Sequence, residues 1–351
     1  MTTNLYQAHR QWAKRPADER FASLGGLYEF TKSRRIRSSE NLRELKSLEI
    51  KQYSENSLMI NGNTEPAQFT NWGFGQLSTI IGAPANYLRT LPANMVKDCM
   101  EYGLRKSKGF TKILTRGNNG NSLASAFTSK SYGRIWDSNV VEMIMNSTLG
   151  SSWHTPPSAT DDITSNGLYA SDRDMFVFMV NDENPVEVEN AKLGRGFFCW
   201  NSETGASTFG LTTFLYNYVC GNHIVWGAED IQELKIVHKN HALDRYHTIV
   251  KPTLNRFLVS KSLDDKIKDG IWAASKIRIG DNQEQTLEWF KNRPFTKKEV
   301  LLGREKGISE GEDVSNLWGM VQGLTAHARD IPYTDRRVNL ERRAGKLLGC
   351  D

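Results

Sequence analysis

Residues 194–227 read GRGFFCWNSETGASTFGLTTFLYNYVCGNHIVWG. Phe197, Phe198, Trp200, Phe209, Phe214, Tyr216, Tyr218 and Trp226 crowd this stretch, on both sides of Ser202-Glu203-Thr204-Gly205. Aromatic and β-branched residues suit the pleated surface of a sheet, and a polar run ending in glycine suits a tight turn. The stretch therefore predicts strands over Arg195–Asn201 and from Ser207 onward, joined by an exposed turn at Glu203-Thr204-Gly205. Leu211, Leu215 and Val219 also have helical spacing, so the point where strand gives way to helix stays open. Either reading gives a sheet covered by a helix.

Working outward, residues 174–181 (DMFVFMVN) predict a neighbouring strand, reached through a polar loop that carries His154. Residues 135–150 (IWDSNVVEMIMNSTLG) predict a helix with Asp137 as N-cap and a stripe of Val140, Val141, Ile144 and Met145. Phe110–Leu114, Leu123–Thr128 and Tyr132–Ile135 read as short strands, and Lys46–Ile60 as a strand pair around Ser54-Glu55-Asn56. Thr70–Leu91 reads as an Asn-capped helix broken at Gly82-Ala83-Pro84, with Leu77, Ile80, Ile81, Tyr87 and Leu88 in the core. Pro92–Gly103 follows as a helix with Met95, Val96, Cys99 and Met100 facing inward. From Leu254 the chain is a series of amphipathic helices; Thr296 and Glu299 form a capping box, and Trp272, Trp289 and Trp318 serve as packing anchors. The fold class is α+β: a central antiparallel sheet with covering helices and an all-helical C-terminal region. The expected segments are 1–109, a basic arm and helical region; 110–253, the α+β core; and 254–351, the helical region.

A chain of 351 residues can bury a real core, and 38% hydrophobic with 24% charged residues marks a globular protein. No apolar run approaches the roughly 20 residues that span a bilayer, and MTTNLYQAHRQWAKRP has no apolar signal region. The expectation is a cytoplasmic protein with no membrane partner. Cys99, Cys199, Cys220 and Cys350 are few and far apart, as reduced thiols are. Net charge is +5, and its placement is uneven: residues 1–52 hold 11 Lys/Arg against 6 Asp/Glu, while the rest is balanced.

No G-x-S-x-G, Walker A or H-E-x-x-H run is present. Cys199 sits between Phe198 and Trp200, where apolar burial disfavours a thiolate. Asp161-Asp162 and Asp264-Asp265 are adjacent pairs, which on a helix diverge by about 100°. No enzymatic role and no cofactor are expected. The metal alternative rests on Cys220, His223, His238 and His241, a C-x2-H and an H-x2-H pair.

Basic residues interleave with aromatics at several places. Arg34, Arg35 and Arg37 follow Tyr28 and Phe30; Arg105, Lys106, Lys108 and Lys112 flank Phe110; Arg134 lies between Tyr132 and Trp136; Arg195 stands in the aromatic stretch. Single-stranded nucleic acid is held by cations along the phosphates and by aromatic faces on which bases stack. The same residues also fit a core of aromatics with a solvated charged rim.

The succession of residues 71–92 (NWGFGQLSTIIGAPANYLRTLP), 132–141, 167–178, 197–227 and 336–348 (RRVNLERRAGKLL) resembles a family carried by phages, prophages and plasmids. That family is catalogued as domain of unknown function nine-hundred-thirty-two. The specific part is Asn201-Ser202 with Gly205, then Cys220, Asn222, His223 and Trp226; His238 also fits the pattern and His241 does not. The order of strands, hairpin and covering helix is similar to the core of Rad52-like single-strand annealing proteins, whose rings hold DNA along a basic groove. The basic N-terminal asymmetry and the basic-aromatic clusters carry the expectation of sequence-nonspecific single-stranded DNA binding; the likeness to annealing proteins adds strand annealing by a homo-oligomer, as a ring in the annealing case, and the family resemblance places it in phage or plasmid DNA metabolism. The alternative is an interaction protein that inhibits a host defence or replication factor through its aromatic strands. A metal-dependent enzyme is the third reading.

Overall fold

The computed structural model describes residues 17–348 apart from 55–56, 62–64, 119, 156–166, 189–190, 218–222, 225–232, 260–261 and 332–333. Helix α1 (Leu24–Ile36) is capped by Ser23, whose hydroxyl accepts from the Gly26 N–H at 3.1 Å. It buries Leu27 and Thr31, so the basic segment after Phe30 is a packed helix rather than a loose arm. Strands β1 (Ser38–Glu44), β2 (Glu49–Ser54), β3 (Ser57–Asn61) and β4 (Ala67–Phe69) follow. β2 and β3 form the antiparallel pair that the alternation predicts.

Helix α2 (Asn71–Ile80) takes its cap from Thr70, not from an asparagine: the Thr70 hydroxyl accepts from the Gly73 N–H at 3.0 Å. Beyond it lie α3 (Ala85–Leu88) and α4 (Ala93–Lys106). On α4 the inward row is Val96, Met100 and Leu104, four residues apart, which turns Met95 and Cys99 to solvent. Cys99 is therefore an exposed thiol, contrary to the expected stripe. Ile80 and Tyr87 are exposed as well, while Leu77 and Leu88 are buried.

β5 (Phe110–Asn118) and β6 (Asn121–Ser129) form the next pair, and Tyr132–Trp136 runs on outside any strand. α5 (Asp137–Thr148) starts with Asp137 inside its first turn, and Trp136 occupies the cap position. Then come β7 (Leu168–Ala170), β8 (Met175–Val188), β9 (Ala191–Asn201), β10 (Phe209–Asn217), β11 (His223–Ile224) and β12 (Glu233–Ile236). β8 and β9 stay paired out to Val188 and Ala191, so the expected connection extends the hairpin. The ambiguous TTFLYN segment is strand.

α6 (Ala242–Arg245), a π-helical turn (Tyr246–Val250) and α7 (Lys251–Val259) run continuously. The C-terminal helices are α8 (Ser262–Lys276), α9 (Gln283–Phe290), α10 (Lys297–Ser309), α11 (Leu317–Arg329) and α12 (Thr334–Lys346). The Thr296–Glu299 capping box opens α10 as predicted. Trp318 is buried and Trp289 packs against the same core, but Trp272 is 58% exposed.

The fold is α+β, with two sheets where one was foreseen. The first has the order β1-β5-β6-β4-β3-β2, antiparallel except for β4 beside β6. It joins strands from both sides of position 109. The second has the order β11-β10-β9-β8-β7, with β12 also on β10.

Period-two alternation along β8, β9 and β10 sorts their side chains onto two faces. Val177, Phe197, Cys199 and Phe209 pack with α1, α5, α6 and α7, while Phe176, Phe178, Phe198 and Phe214 form an aromatic layer on the other face. Gly196 and Gly210 are required there: a Cβ would strike the rings of Phe214 and Trp200 on the neighbouring strands. Val186, Leu193 and Leu215 continue into the core of the C-terminal helices. The first sheet packs on α2 and α4 through Ile113, Phe127, Leu77 and Met100.

Candidate functional site

The segment Asn201–Gly205, whose Glu203-Thr204-Gly205 part is expected to be exposed, lies between the two sheets. Asn201, Ser202, Glu203 and Thr204 are each no more than 1% exposed, and only Gly205 reaches solvent. Glu203 accepts the Asp137 backbone N–H at 2.8 Å and pairs with Arg116 of β5. Arg34 of α1 pairs with the Asp137 carboxylate at 2.5 Å and stands 3.6 Å from Glu203. Asn201 donates to the other Asp137 oxygen at 2.7 Å. The Thr204 carbonyl accepts from Trp72 and Gln76 of α2 at 3.1 and 2.8 Å, and Tyr132 donates to the Ser202 carbonyl at 2.9 Å.

Burial governs the charges here. It pushes the Asp137 carboxyl up to about 7, and the Glu203 charge adds to the effect. Burial also pushes Glu203 up, but Arg34 and Arg116 outweigh it and hold that carboxylate below its usual range. Arg116 is lowered to about 10 by burial and by Arg34. With both carboxylates 1% exposed, a substrate has no access to them. The arrangement ties α1, β5, α5 and the β9–β10 turn together. Buried ion pairs of this kind fix geometry more than they add net stability.

The expected phosphate ligands thus separate into groups. Arg34 is consumed by Asp137 and the Ser171 carbonyl. Arg134 is buried and bonded to Glu40 at 2.5 and 2.9 Å, and Lys112 bonds Glu40 at 3.2 Å and the Tyr132 carbonyl at 2.8 Å. Those three serve internal pairs because the face of the first sheet that carries Lys112 and Arg116 packs onto residues 132–137 and 202–205. Arg35 is exposed, lies 5.4 Å over Trp136 and bonds Asn139. Arg37 is exposed beside it. Arg195 sits mid-strand in β9, opposite Asn181 and Leu215, in the second sheet.

Arg105, Lys106 and Lys108 do come together, at one end of the first sheet. α4 ends at Lys106 and β5 begins at Phe110, which register places opposite Glu44. The Leu45 N–H donates to the Gly109 carbonyl at 3.0 Å, which brings Arg43 and Lys46 to the same end. Phe110 is 52% and Tyr102 56% exposed; Lys130 lies 5.9 Å over the first ring and Lys106 4.4 Å over the second. Arg43, Lys46, Arg105, Lys106, Lys108 and Lys130 are all exposed. Glu44 is there too, and Arg105 pairs with Glu101 at 3.9 Å. This end of the sheet thus carries two exposed rings with cations over them, Phe110 on one face and Tyr102 on the helix α4 that covers the other.

Sequence reasoning missed Arg116, Glu40, Lys130 and Lys46, and misplaced Asp137 and Glu203, whereas Arg43 belongs to the basic N-terminal segment with Arg34, Arg35 and Arg37. Arg116 carried a signal: a lone charge at the end of the apolar strand ILTR.

The tentative metal set does not assemble in what is described. Cys220 lies outside the described residues, and His223 is known by its backbone pairing with Tyr216. His238 is buried, pushed down to about 4 by burial, with Nδ1 3.2 Å from the Gly133 carbonyl and its ring stacked on Tyr132. His241 is exposed and faces Asp244 at 3.2 Å. Among the described residues no group of three or more His, Cys, Asp or Glu side chains could hold a metal. Among them, too, no helix is long and apolar enough to cross a membrane. Searches of family models, curated proteins and solved structures found no match to the chain.

Proposed function

We propose that the chain binds single-stranded DNA without sequence preference, through the end of the first sheet around Phe110. The observation that carries this reading is Phe110 itself, half exposed at the end of the sheet, with Lys130 over its ring and Lys108 two residues before it, while Arg43, Lys46, Arg105 and Lys106 are exposed at the same end. The ring leaves half of its surface to water at an end of the sheet where exposed cations outnumber the acids. Stacked bases would cover it, and the cations would neutralise the flanking phosphates. Stacking on a ring is tolerant of base identity, which fits a sequence-nonspecific mode.

Strand annealing by a homo-oligomer, in the DNA metabolism of a phage or plasmid, is the fuller form of the proposal. Arg34, Lys112 and Arg134 leave the contact set, because carboxylates and carbonyls already engage them. Binding of a fluorescein-labelled oligothymidine tests the reading: Phe110→Ala should lose about 1–3 kcal/mol of affinity with thermal stability unchanged. Equal affinity for both proteins would refute it.

A further inference from the structure

A cavity of about 550 Å³ lies between the β3 and β4 strands and helices α2, α3 and α4. That is the size range of small-molecule sites. Phe69 and Phe74 form one wall, edge to face at 5.9 Å, and Leu58, Leu88 and Val96 line the rest. The polar side chains along it are Ser57, Gln68, Thr70, Asn71 and Arg89. Arg89 is exposed, and its guanidinium lies 5.2 Å over the Phe74 ring. One terminal nitrogen donates to the Asn71 carbonyl at 3.0 Å and the other to the Asn86 side chain at 3.3 Å. These two bonds steer the guanidinium and use two of its five N–H donors, so the others are available to an anion.

The geometry points to a nucleotide site: the base lies against Phe69 and Phe74, the phosphate meets Arg89, and the Gln68 and Asn71 amides address the base edge. An apolar wall with an anion-binding guanidinium and two amides at its margin suits an aromatic heterocycle that carries a phosphate. A purely hydrocarbon ligand would leave Arg89 unused. The site is distinct from the Phe110 surface, since α4 meets the cavity at Ala93 and Val96 and reaches that surface only at its far end. The inference goes beyond the strand-binding reading and does not require it. A free mononucleotide and a nucleotide of a single strand present the same chemistry.

Calorimetric titration of the full chain with dAMP, deoxyadenosine, inorganic phosphate and a short oligodeoxyadenosine tests the site. dAMP should bind more tightly than deoxyadenosine or phosphate alone. Arg89→Glu should weaken it about tenfold or more, the loss of a charge-assisted hydrogen bond. Gln68→Ala provides a second variant should the first misfold by circular dichroism, and should weaken dAMP severalfold. Displacement of bound dAMP by the oligonucleotide identifies a strand as the source, and binding of both together identifies a free nucleotide. Absence of dAMP binding to the wild type, or affinity that neither substitution changes, overturns the site. Lys106→Glu with Lys108→Glu should leave dAMP binding intact, so failure of the strand-binding reading is distinguishable from failure of this one.

Discussion

Glu203 accepts the backbone N–H of Asp137 at 2.8 Å, so the turn of one hairpin caps the first turn of helix α5 with a buried carboxylate. The acid that the sequence offers as the helix cap is instead turned inward, toward Arg34 and Asn201. This exchange of roles joins the two sheets, and it makes the centre of the molecule structural while the cationic surface lies elsewhere.

Removing the Glu203 charge should be severe. Glu203→Gln leaves Arg116 and Arg34 buried without their shared anion, and the loss of one partner of a buried pair costs about 3–5 kcal/mol. Urea denaturation measures it. A loss below about 1 kcal/mol, the worth of a surface pair, would show that the cluster contributes little.

Asp137 should give stability a distinctive pH dependence. Its carboxyl is raised to about 7 in the fold, against about 3.9 in an unfolded chain. The folded state holds that proton more tightly, so the contribution is complete below the unfolded value and is lost as pH rises through about 7. Glu203, held low, behaves oppositely: its contribution is present above the unfolded carboxylate value and is lost as pH falls through its depressed one. Relative to Asp137→Asn, the wild type should therefore lose stability as pH rises from about 4 to 7. Parallel urea midpoints for the two proteins across that interval would contradict the assignment.

Gln76 links the sheets through one side chain: its oxygen accepts the Phe127 N–H at 2.9 Å and its nitrogen donates to the Thr204 carbonyl at 2.8 Å. Gln76→Ala should cost about 1–3 kcal/mol, because the buried Phe127 N–H loses this acceptor while the Thr204 carbonyl keeps only its bond from Trp72. Hydrogen exchange at the Phe127 amide should accelerate in the same variant, and an unchanged rate would place the bond elsewhere.

Thiol reactivity separates two cysteines. Cys99 is exposed, whereas Cys199 is fully buried and its thiol is raised well above the ordinary value by that burial. A maleimide followed by peptide mapping should label Cys99 in the native protein and Cys199 only after denaturation. Native labelling of Cys199 would contradict the packing of β9 between α5 and the aromatic layer.

Much of this architecture is legible in the sequence, where local rules suffice. The β2–β3 pair, the aromatic strands of the second sheet and the Thr296 capping box all follow from alternation and capping chemistry. β1 was not legible, because SSENLRE has neither alternation nor apolar residues beyond Leu42; it is an edge strand that needs β5 to define it. On α4 the expected stripe is half right: Val96 and Met100 face inward, while Met95 and Cys99, one position to the side, face solvent. Glu203, Asp137, Arg34 and Arg134 were misplaced for a common reason. Charged residues signal exposure by default, and only partners more than sixty positions away in sequence make their burial tolerable. The cations at this end of the sheet are half legible, since Arg105, Lys106, Lys108 and Phe110 are neighbours in the chain and Arg43 belongs to the basic N-terminal segment, whereas Lys46 and Lys130 arrive by long-range pairing of β1, β5 and β6.

The central claim is that the Phe110 end of the first sheet holds single-stranded DNA through its cations. Fluorescence anisotropy of a labelled oligothymidine, titrated across a salt series, tests it most directly. The wild type should bind with an affinity that falls as salt rises, and Lys106→Glu with Lys108→Glu should bind more weakly with a log–log slope shallower by about 1.4, two phosphate contacts at about 0.7 each. No salt-dependent binding at low ionic strength, or an identical slope in the double variant, would contradict the account.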